Sequence, residues 1–250
     1  MRLIFLLLLV LLLHCDLFAQ NIATLIKEAE KQEALLNERG ALDKFREALK
    51  LQPNHLYVLN KCSELCSRVG KSQPNAQARE DYYNAAQIYA GIALKFYPKD
   101  SEANCLMAIA LGRITLNKKG KDKINSVKEI KRYVDASLLY NPNNYKAWHV
   151  LGRWHYELSN LNVFERAAIK LFFGGMPKSS FAASVSAFEK AAQNSHEFIL
   201  NYFELAKAYY KNDQEQKAIQ TLKYLLQITN HTAEDEVTKQ QARDLLKDWQ

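Results

Sequence analysis

The chain has 250 residues, of which 48% are hydrophobic and 24% charged, so it is long enough to bury the core of one or two domains. It contains only 8 glycines and 5 prolines, which argues against a β-rich fold with many turns and favours helices. The formal net charge of +7 favours acidic polypeptides, anionic lipid headgroups or other polyanions as partners.

The first 19 residues have the features of an export signal. Arg2 supplies a positive charge, Leu3 to Leu13 form an apolar run, and Ala19 precedes a cleavage point at Gln20. The run is shorter than the roughly 20 residues of a membrane span. We therefore expect residues 1–19 to be removed as a signal peptide near Ala19, leaving a periplasmic or secreted protein that does not meet nucleic acid. Retention of this segment as a membrane anchor is the alternative.

Residues 20–250 contain a degenerate internal repeat. In the tetratricopeptide pattern of about 34 residues, small residues let two antiparallel helices approach, large residues fill the gap, and a proline stops the second helix. The unit that begins at Ile199 matches best. Its matching residues are Tyr202, Leu205, Ala206, Tyr209, Ala218, Leu222 and Leu225.

Two other units match parts of the same pattern. The matching residues are Trp148, Leu151, Gly152, Phe188 and Ala191 in the unit from Tyr145, and Leu25, Ala29, Ala41, Phe45, Ala48 and Pro53 in the first unit. Between these units we predict helices over 55–69, 78–96, 101–116 and 123–140, paired across loops at Gly70–Asn75 and Asn117–Asp122. Prolines at 53, 98 and 142 follow predicted helix ends.

A last amphipathic helix is predicted over residues 234–249, where it would cover the final hairpin as a solenoid cap. The predicted fold is therefore all-α: a tetratricopeptide-type solenoid of about five antiparallel helical hairpins with a C-terminal capping helix. It forms one domain over residues 20–250.

Three runs of sequence carry a more specific likeness. Residues 148–154 read Trp-His-Val-Leu-Gly-Arg-Trp, residues 161–166 read Leu-Asn-Val-Phe-Glu-Arg, and residues 172–180 read Phe-Phe-Gly-Gly-Met-Pro-Lys-Ser-Ser. Together they resemble the regulator of microtubule dynamics family, which consists of divergent tetratricopeptide proteins. The resemblance implies a helical-repeat interaction protein. It does not carry microtubule binding to this chain, because an exported protein would not meet a cytoplasmic filament.

The segment 160–178 is an apolar insertion that a plain helical hairpin does not need. A helix that is apolar on most sides must be buried or engaged with a partner. One interpretation is that it folds into the concave side of the solenoid and plugs it. The other is that it faces a protein partner or a membrane, with Leu171, Phe172 and Phe173 as its contact residues.

The concave surface of a tetratricopeptide array is lined by positions that share one face of each first helix. In the last two units these positions are basic and aromatic: Lys146, His149, Arg153 and Tyr156, then Leu200, Phe203, Lys207 and Tyr210. Arginine can grip a carboxylate with two hydrogen bonds, and aromatic faces add contact area. We hypothesise a groove for an extended acidic peptide or a C-terminal carboxylate. An ordinary solvated helix face is the alternative.

A second basic cluster lies within residues 118–132. A solvated loop and helix face is the simplest interpretation, and anionic headgroup binding is the functional alternative. Combined with a retained N-terminal helix, this cluster would make the chain a membrane-associated repeat protein.

No catalytic, metal or cofactor motif is recognisable in the sequence. Cys62 and Cys66 lie one helical turn apart at core positions of a repeat, which favours small core residues over zinc ligands. His155 also falls at a core position. The chain lacks a phosphate loop and a His-Glu-x-x-His motif. We therefore predict a non-enzymatic scaffold of the cell envelope that docks a protein or peptide partner and needs no cofactor.

Overall fold

The computed structural model describes residues 21–115, 120–173 and 177–249. These ranges form twelve helices and no strand. The helices are α1 (21–34), α2 (Glu38–Leu51), α3 (Leu56–Lys71), α4 (Ala76–Phe96), α5 (Ser101–Thr115), α6 (Gly120–Tyr140), α7 (Tyr145–Ser159), α8 (Val163–Phe173), α9 (Phe181–Asn194), α10 (Ile199–Lys211), α11 (Glu215–Leu225) and α12 (Asp235–Asp248). The predicted signal peptide lies outside the described residues. No helix in the described ranges is long and apolar enough to cross a membrane.

The helices pair as antiparallel hairpins, which confirms the predicted solenoid. α1 packs on α2, α3 on α4, α5 on α6, α7 on α9 and α10 on α11, while each hairpin also contacts the next. The first helices α3, α5, α7 and α10 contact one another in order and line the inner side. α12 packs on α10 and α11, as predicted for a cap.

The contact between Gly152 and Phe188 shows how a hairpin is held together. Phe188 is fully buried, and a Cβ on Gly152 would lie 2.6 Å from the Phe188 ring carbon Cδ1. Ser184 Oγ donates a 2.8 Å hydrogen bond to the Gly152 carbonyl. This close approach of α7 and α9 is the small-against-large packing that the repeat pattern predicts.

The connections between hairpins follow the predicted prolines. α2, α4 and α6 end at Leu51, Phe96 and Tyr140, two residues before the prolines at 53, 98 and 142. Side chains then cap the next helix: Asp100 Oδ1 accepts from Ala103 N at 2.7 Å, and Asn144 Oδ1 accepts from Ala147 N at 3.0 Å. A proline stop followed by a polar cap thus recurs between hairpins.

Two predicted loops are shorter than expected. α6 begins at Gly120, inside the predicted loop Asn117–Asp122, and Asp122 in its first turn suits the positive end of a helix. α3 continues through Gly70 to Lys71. Gly70 is a packing position, because a Cβ there would lie 2.8 Å from Tyr83 and 2.9 Å from Tyr82. Its lack of a side chain lets α3 approach α4.

Cys62 and Cys66 are core residues, as predicted. Cys62, Cys66 and Cys105 are buried, and burial raises the pKa of the Cys62 thiol to about 12. Within the described ranges, no group of three His, Cys, Asp or Glu side chains could hold a metal ion. His155 is half-buried against the Trp154 ring at 5.1 Å between centroids.

The apolar insertion forms α8, which lies against α6 and does not plug the concave side. Ile169 is buried in the cluster shared by α5, α6 and α7. Val163, Phe164 and Leu171 are exposed. The described residues of the insertion therefore lie on α6 and not in the concave face, contrary to the interpretation that the insertion plugs it. The side chains of Phe172 and Phe173 lie outside the described part of the chain.

A matched pair of glycine substitutions tests the hairpin packing. Gly152→Ala places a methyl group against the buried Phe188 ring and should destabilise the fold by about 1–3 kcal/mol. Gly112→Ala meets nothing within 4 Å and should be neutral or stabilise α5 by up to about 1 kcal/mol. Urea unfolding followed by circular dichroism measures both. Equal midpoints for the two variants would contradict this account of the α7–α9 contact.

Candidate functional site

The first helices present a charged surface to the inside of the solenoid, here called the concave face. It is built from α3, α5, α7 and α10, which pack side by side. Its charged residues are Lys61, Glu64, Arg68, Lys71, Glu102, Arg113, Lys146, Arg153, Glu204 and Lys207. Of the predicted groove residues, Lys146, Arg153 and Lys207 belong to this face, together with carboxylates that the sequence prediction did not include.

Lys146 is a structural cation, although it was predicted to contact a partner. Its Nζ lies 2.8 Å from Glu64 Oε1 on α3 and 2.7 Å from Glu102 Oε1 on α5. Burial alone would lower the pKa of Lys146, but the two carboxylates outweigh it and raise the pKa well above its ordinary value. The side chain therefore joins three first helices and is already satisfied.

Glu64 is the counterpart of Lys146 in this network. Burial alone would raise its pKa, but Lys146, Lys61 and Arg68 outweigh that effect and lower the pKa to about 2. Arg68 also lies 3.1 Å from Glu33. The carboxylate of Glu64 is therefore ionised at neutral pH and tied to cations on two helices.

His149 is a buried neutral residue that connects α7 to α10. Its Nδ1 lies 3.1 Å from Asn201 Oδ1, while Asn201 Nδ2 donates to the Phe188 carbonyl at 3.0 Å. With the amide oriented in this way, His149 Nδ1 is the donor. Burial lowers the pKa of His149 to about 4. Its ring packs against Phe198 at 4.9 Å between centroids, so it does not face a ligand.

Arg153 and Lys207 meet at Glu204, which the sequence prediction missed. Arg153 Nη1 lies 2.8 Å from Glu204 Oε1, and Lys207 Nζ lies 3.0 Å from Glu204 Oε2. Arg153 Nη2 also lies 3.0 Å from Glu157. Arg153 Nε is buried and has no hydrogen-bond partner within the described ranges. The only sequence signal for Glu204 was its i,i+3 spacing to Lys207.

The predicted aromatic residues divide between two places. Tyr156 and Phe203 lie with Lys207, whose Nζ stands 5.5 Å and 5.3 Å from the two ring centroids. Tyr210 lies instead at the cap, stacked on Trp249 with ring centroids 4.2 Å apart. The structure therefore brings Arg153, Tyr156, Phe203 and Lys207 together and separates Tyr210 from them.

Arg113 is a further cation on this face that the sequence prediction overlooked. It lies in the last turn of α5, is half-buried, and has no hydrogen bond or ion pair in the part of the chain that the structure describes. Burial lowers the pKa of Arg113, the nearby Tyr83 side chain opposes this effect, and the positive charge of Arg153 lowers the pKa further. Burial and the charges of Arg113 and Arg153 also lower the pKa of Lys71, while Glu204 opposes them. Arg113 is thus a donor-rich group that lies near Tyr83 and within range of a second guanidinium.

The segment before α12 reaches back across the solenoid to its first hairpins. Ala233 N donates a 3.2 Å hydrogen bond to Glu38 Oε1, and Lys71 contacts the carboxylate of Glu234. Glu38 in turn accepts from Arg68 Nη2 at 2.6 Å. The concave face is therefore bounded at this edge by residues 233–234.

The pKa of Glu64 predicts how stability responds to acid. In the unfolded chain, Glu64 takes up a proton near its ordinary pKa of 4.5, whereas in the folded protein it stays ionised until about pH 2. The contribution of this group is present above pH 4.5 and is lost as the pH falls from 4.5 towards 2, with an upper limit of about 3 kcal/mol. The Glu64→Gln variant should have a lower free energy of unfolding than wild type at pH 7. Between pH 4.5 and pH 2, its free energy of unfolding should fall less than that of wild type.

Urea unfolding at a series of pH values between 7 and the acid limit measures this difference. Glu47→Gln is the matched control, because Glu47 forms an exposed ion pair with Lys44. If the stability of Glu64→Gln runs parallel to wild type across the window, the buried network does not hold Glu64 ionised.

Solved structures with the same fold include two repeat proteins. The thermophilic tetratricopeptide protein TTC0263 of Thermus thermophilus superposes with a TM-score of 0.63 at 12% identity, covering 89% of this chain and 98% of that one. Yeast Tom70 superposes with a TM-score of 0.56 at 14% identity, covering 94% of this chain and 41% of that one. At these identities the likeness establishes the fold alone.

Sequence relatives agree with the resemblance seen in residues 148–180. Regulator of microtubule dynamics protein 2 of Homo sapiens is 22% identical over 236 residues, which cover 94% of this chain and 56% of the human protein. Regulator of microtubule dynamics protein 1 of Bos taurus is 25% identical over 232 residues, which cover 89% of this chain and 71% of that protein. The chain thus spans little more than half the length of the human relative. Because the family model described as regulator of microtubule dynamics protein 1-3 matches residues 20–250, the chain belongs to that family.

Proposed function

We propose that this protein is a non-catalytic binding scaffold of the cell envelope whose concave face holds an extended acidic peptide segment. The observation that carries the proposal is the guanidinium of Arg113, which makes no hydrogen bond or ion pair with the described residues and lies near Tyr83 and within range of the Arg153 charge on that face. The tetratricopeptide fold supports it, because stacked repeats create an extended concave surface suited to binding. Export with cleavage near Ala19 is part of the same proposal.

The bound carboxylate would lie between Arg113 and Arg153. The N–H donors of Arg113 are unused by the described residues, whereas Arg153 would contribute its charge, because its Nε is buried and both of its Nη atoms are paired. A carboxylate can accept two parallel hydrogen bonds from one guanidinium. It would also relieve the repulsion between the two like charges, so an anion is favoured here over a cation or a neutral group.

The neighbouring rings would support the site from beneath. Tyr156 and Phe203 flank Lys207 on the same face and are buried. They would hold the Lys207 ammonium group in place while the charged side chains contact the peptide. Lys146 and His149, which the sequence placed in the groove, would support the site through Glu64 and Asn201 without touching the peptide.

Microtubule binding is not part of the proposal. The names of the relatives refer to microtubule dynamics, but the chain spans only 56% of the human protein 2. An exported protein would also be separated from a cytoplasmic filament.

Arg113→Gln tests the proposed site, with Arg132→Gln as the matched control on the exposed face of α6. Arg132 pairs with Glu129 at 2.8 Å and lies outside the concave face. A fluorescein-labelled glutamate-rich peptide is the probe, and a glutamine-rich peptide of equal length controls for charge. We expect Arg113→Gln to weaken binding of the acidic probe about tenfold, which corresponds to about 1.4 kcal/mol. Arg132→Gln should bind like wild type.

Fluorescence anisotropy measures both affinities, and thermal unfolding verifies that the variants are folded. Arg113 suits this test better than Arg153, because replacing Arg153 would leave the buried Glu204 without one of its two cations. Equal affinities for Arg113→Gln and Arg132→Gln, or equal binding of the two peptides, would contradict the proposal.

A further inference from the structure

α8 carries an apolar stripe that nothing in the described part of the chain covers. Val163, Phe164 and Leu171 have 79%, 87% and 79% of their surface exposed. Their spacing, with exposed Ala167 between them, places all four on one side of the helix. Ile169 lies on the opposite side and is buried against α6 and α7. The helix is thus fixed by one side and presents the other to water.

The start of α8 is held by side-chain hydrogen bonds. Asn162 Oδ1 accepts from Glu165 N at 2.9 Å, and Glu165 Oε2 accepts from Asn162 N at 2.9 Å. This reciprocal pair is a capping box. Arg166 Nε and Nη2 also donate to the carbonyls of Leu161 and Ser159, at 2.8 Å and 3.1 Å. These contacts hold the helix, and therefore its exposed stripe, in one orientation.

Basic residues border the stripe. Lys170 is exposed at its edge, two helical turns beyond Val163 on the same side of α8. Lys178 is exposed in the segment that follows the helix, where it lines a recess with Lys128, Lys131, Trp154 and Pro177 on the α6–α7 side of α8. The stripe therefore has Lys170 at its edge and a basic recess behind it; Lys170 and Lys178 are here called the lysine collar.

The acidic residues close to α8 do not cancel the lysine collar. Glu165 lies four residues before the buried Ile169, on the side of α8 that faces away from the stripe, and Asp135 on α6 pairs with Lys131 at 2.7 Å. The two collar lysines thus add their positive charge to an apolar surface, which suits a partner that is itself apolar beneath an anionic layer.

We propose that α8 docks onto an anionic membrane surface, with the apolar stripe among the lipid headgroups and the lysine collar on the negative charges. An apolar helix face bordered by lysines is the arrangement that binds in the plane of such an interface. A bilayer accepts a projecting convex helix without a matching groove. The stripe belongs to a helix of 11 residues, which is too small to bury the roughly 800 Å² per partner of a stable protein interface.

This surface is separate from the proposed peptide site. α8 packs on α6, a second helix of its hairpin, whereas the concave face is formed by first helices. Docking through α8 would therefore leave the concave face open. A failure of membrane binding and a failure of peptide binding would be observed independently, in different assays and with different variants.

The test uses the full chain and vesicles of phosphatidylcholine with or without phosphatidylglycerol. The double variant Phe164→Ser, Leu171→Ser removes the large side chains of the stripe. Ile88→Ser is the matched control, because Ile88 is 61% exposed on α4, away from α8. We expect wild type and the control to sediment with phosphatidylglycerol vesicles, and the double variant to partition at least about tenfold less. Residues 1–19 are common to all three proteins, so any difference between them comes from the substituted positions.

The charge requirement is tested in the same assay. Lys170→Gln with Lys178→Gln should weaken partitioning only on phosphatidylglycerol vesicles, and added salt should weaken wild-type binding to them. Equal partitioning of the double variant and the Ile88 control would overturn the proposal. The proposal would also be overturned if wild type bound equally well to vesicles with and without phosphatidylglycerol. Sedimentation velocity that shows a dimer lost in the Phe164→Ser, Leu171→Ser protein would also overturn it and assign the stripe to a second copy of this chain.

Discussion

The ion pair between Lys146 and Glu64 joins α7 to α3 across the intervening α5, and the shape of the concave face depends on it. Lys146 Nζ and Glu64 Oε1 lie 2.8 Å apart on the inner side. Separating them would leave a buried charge unpaired, which is strongly destabilising. Glu102 on α5 shares the same ammonium group at 2.7 Å. Three consecutive first helices therefore share one cation on the concave face.

The first and last parts of the chain also meet. A solenoid normally keeps its ends apart, since each repeat contacts only its neighbours. Here Ala233 donates a hydrogen bond to Glu38, and Glu234 contacts Lys71. Arg113 on α5 and Arg153 on α7 lie within range of each other's charge, because these two helices are neighbours on the concave face. The electrostatic environment of Arg113 thus comes from tertiary contacts as well as from composition.

The fold could be predicted because its determinants are local, whereas the partners in the site are distant in sequence. A small residue at 152, a large one at 188 and prolines two residues beyond three helix ends are readable from spacing alone. Gly70 shows where prediction from spacing fails, because a glycine can either end a helix or allow two helices to pack closely. The structure shows the second role, since a Cβ on Gly70 would lie only 2.8 Å from the Tyr83 ring. Lys146 pairs with Glu64 from two hairpins earlier. A repeat pattern identifies inward positions, but it does not say which inward carboxylate each cation will meet. Arg113 was overlooked because its unit matches the repeat poorly.

The two proposed surfaces differ in how they hold their charges, and this difference separates their roles. On the concave face, Lys146 is largely enclosed and paired with two carboxylates, so dissolved salt screens it weakly. The lysine collar of α8 consists of exposed lysines beside exposed apolar side chains, where screening is strong. Moderate salt would therefore release α8 from a charged surface while leaving the buried network intact. A protein built in this way can be held loosely by one side and bind a peptide with the other.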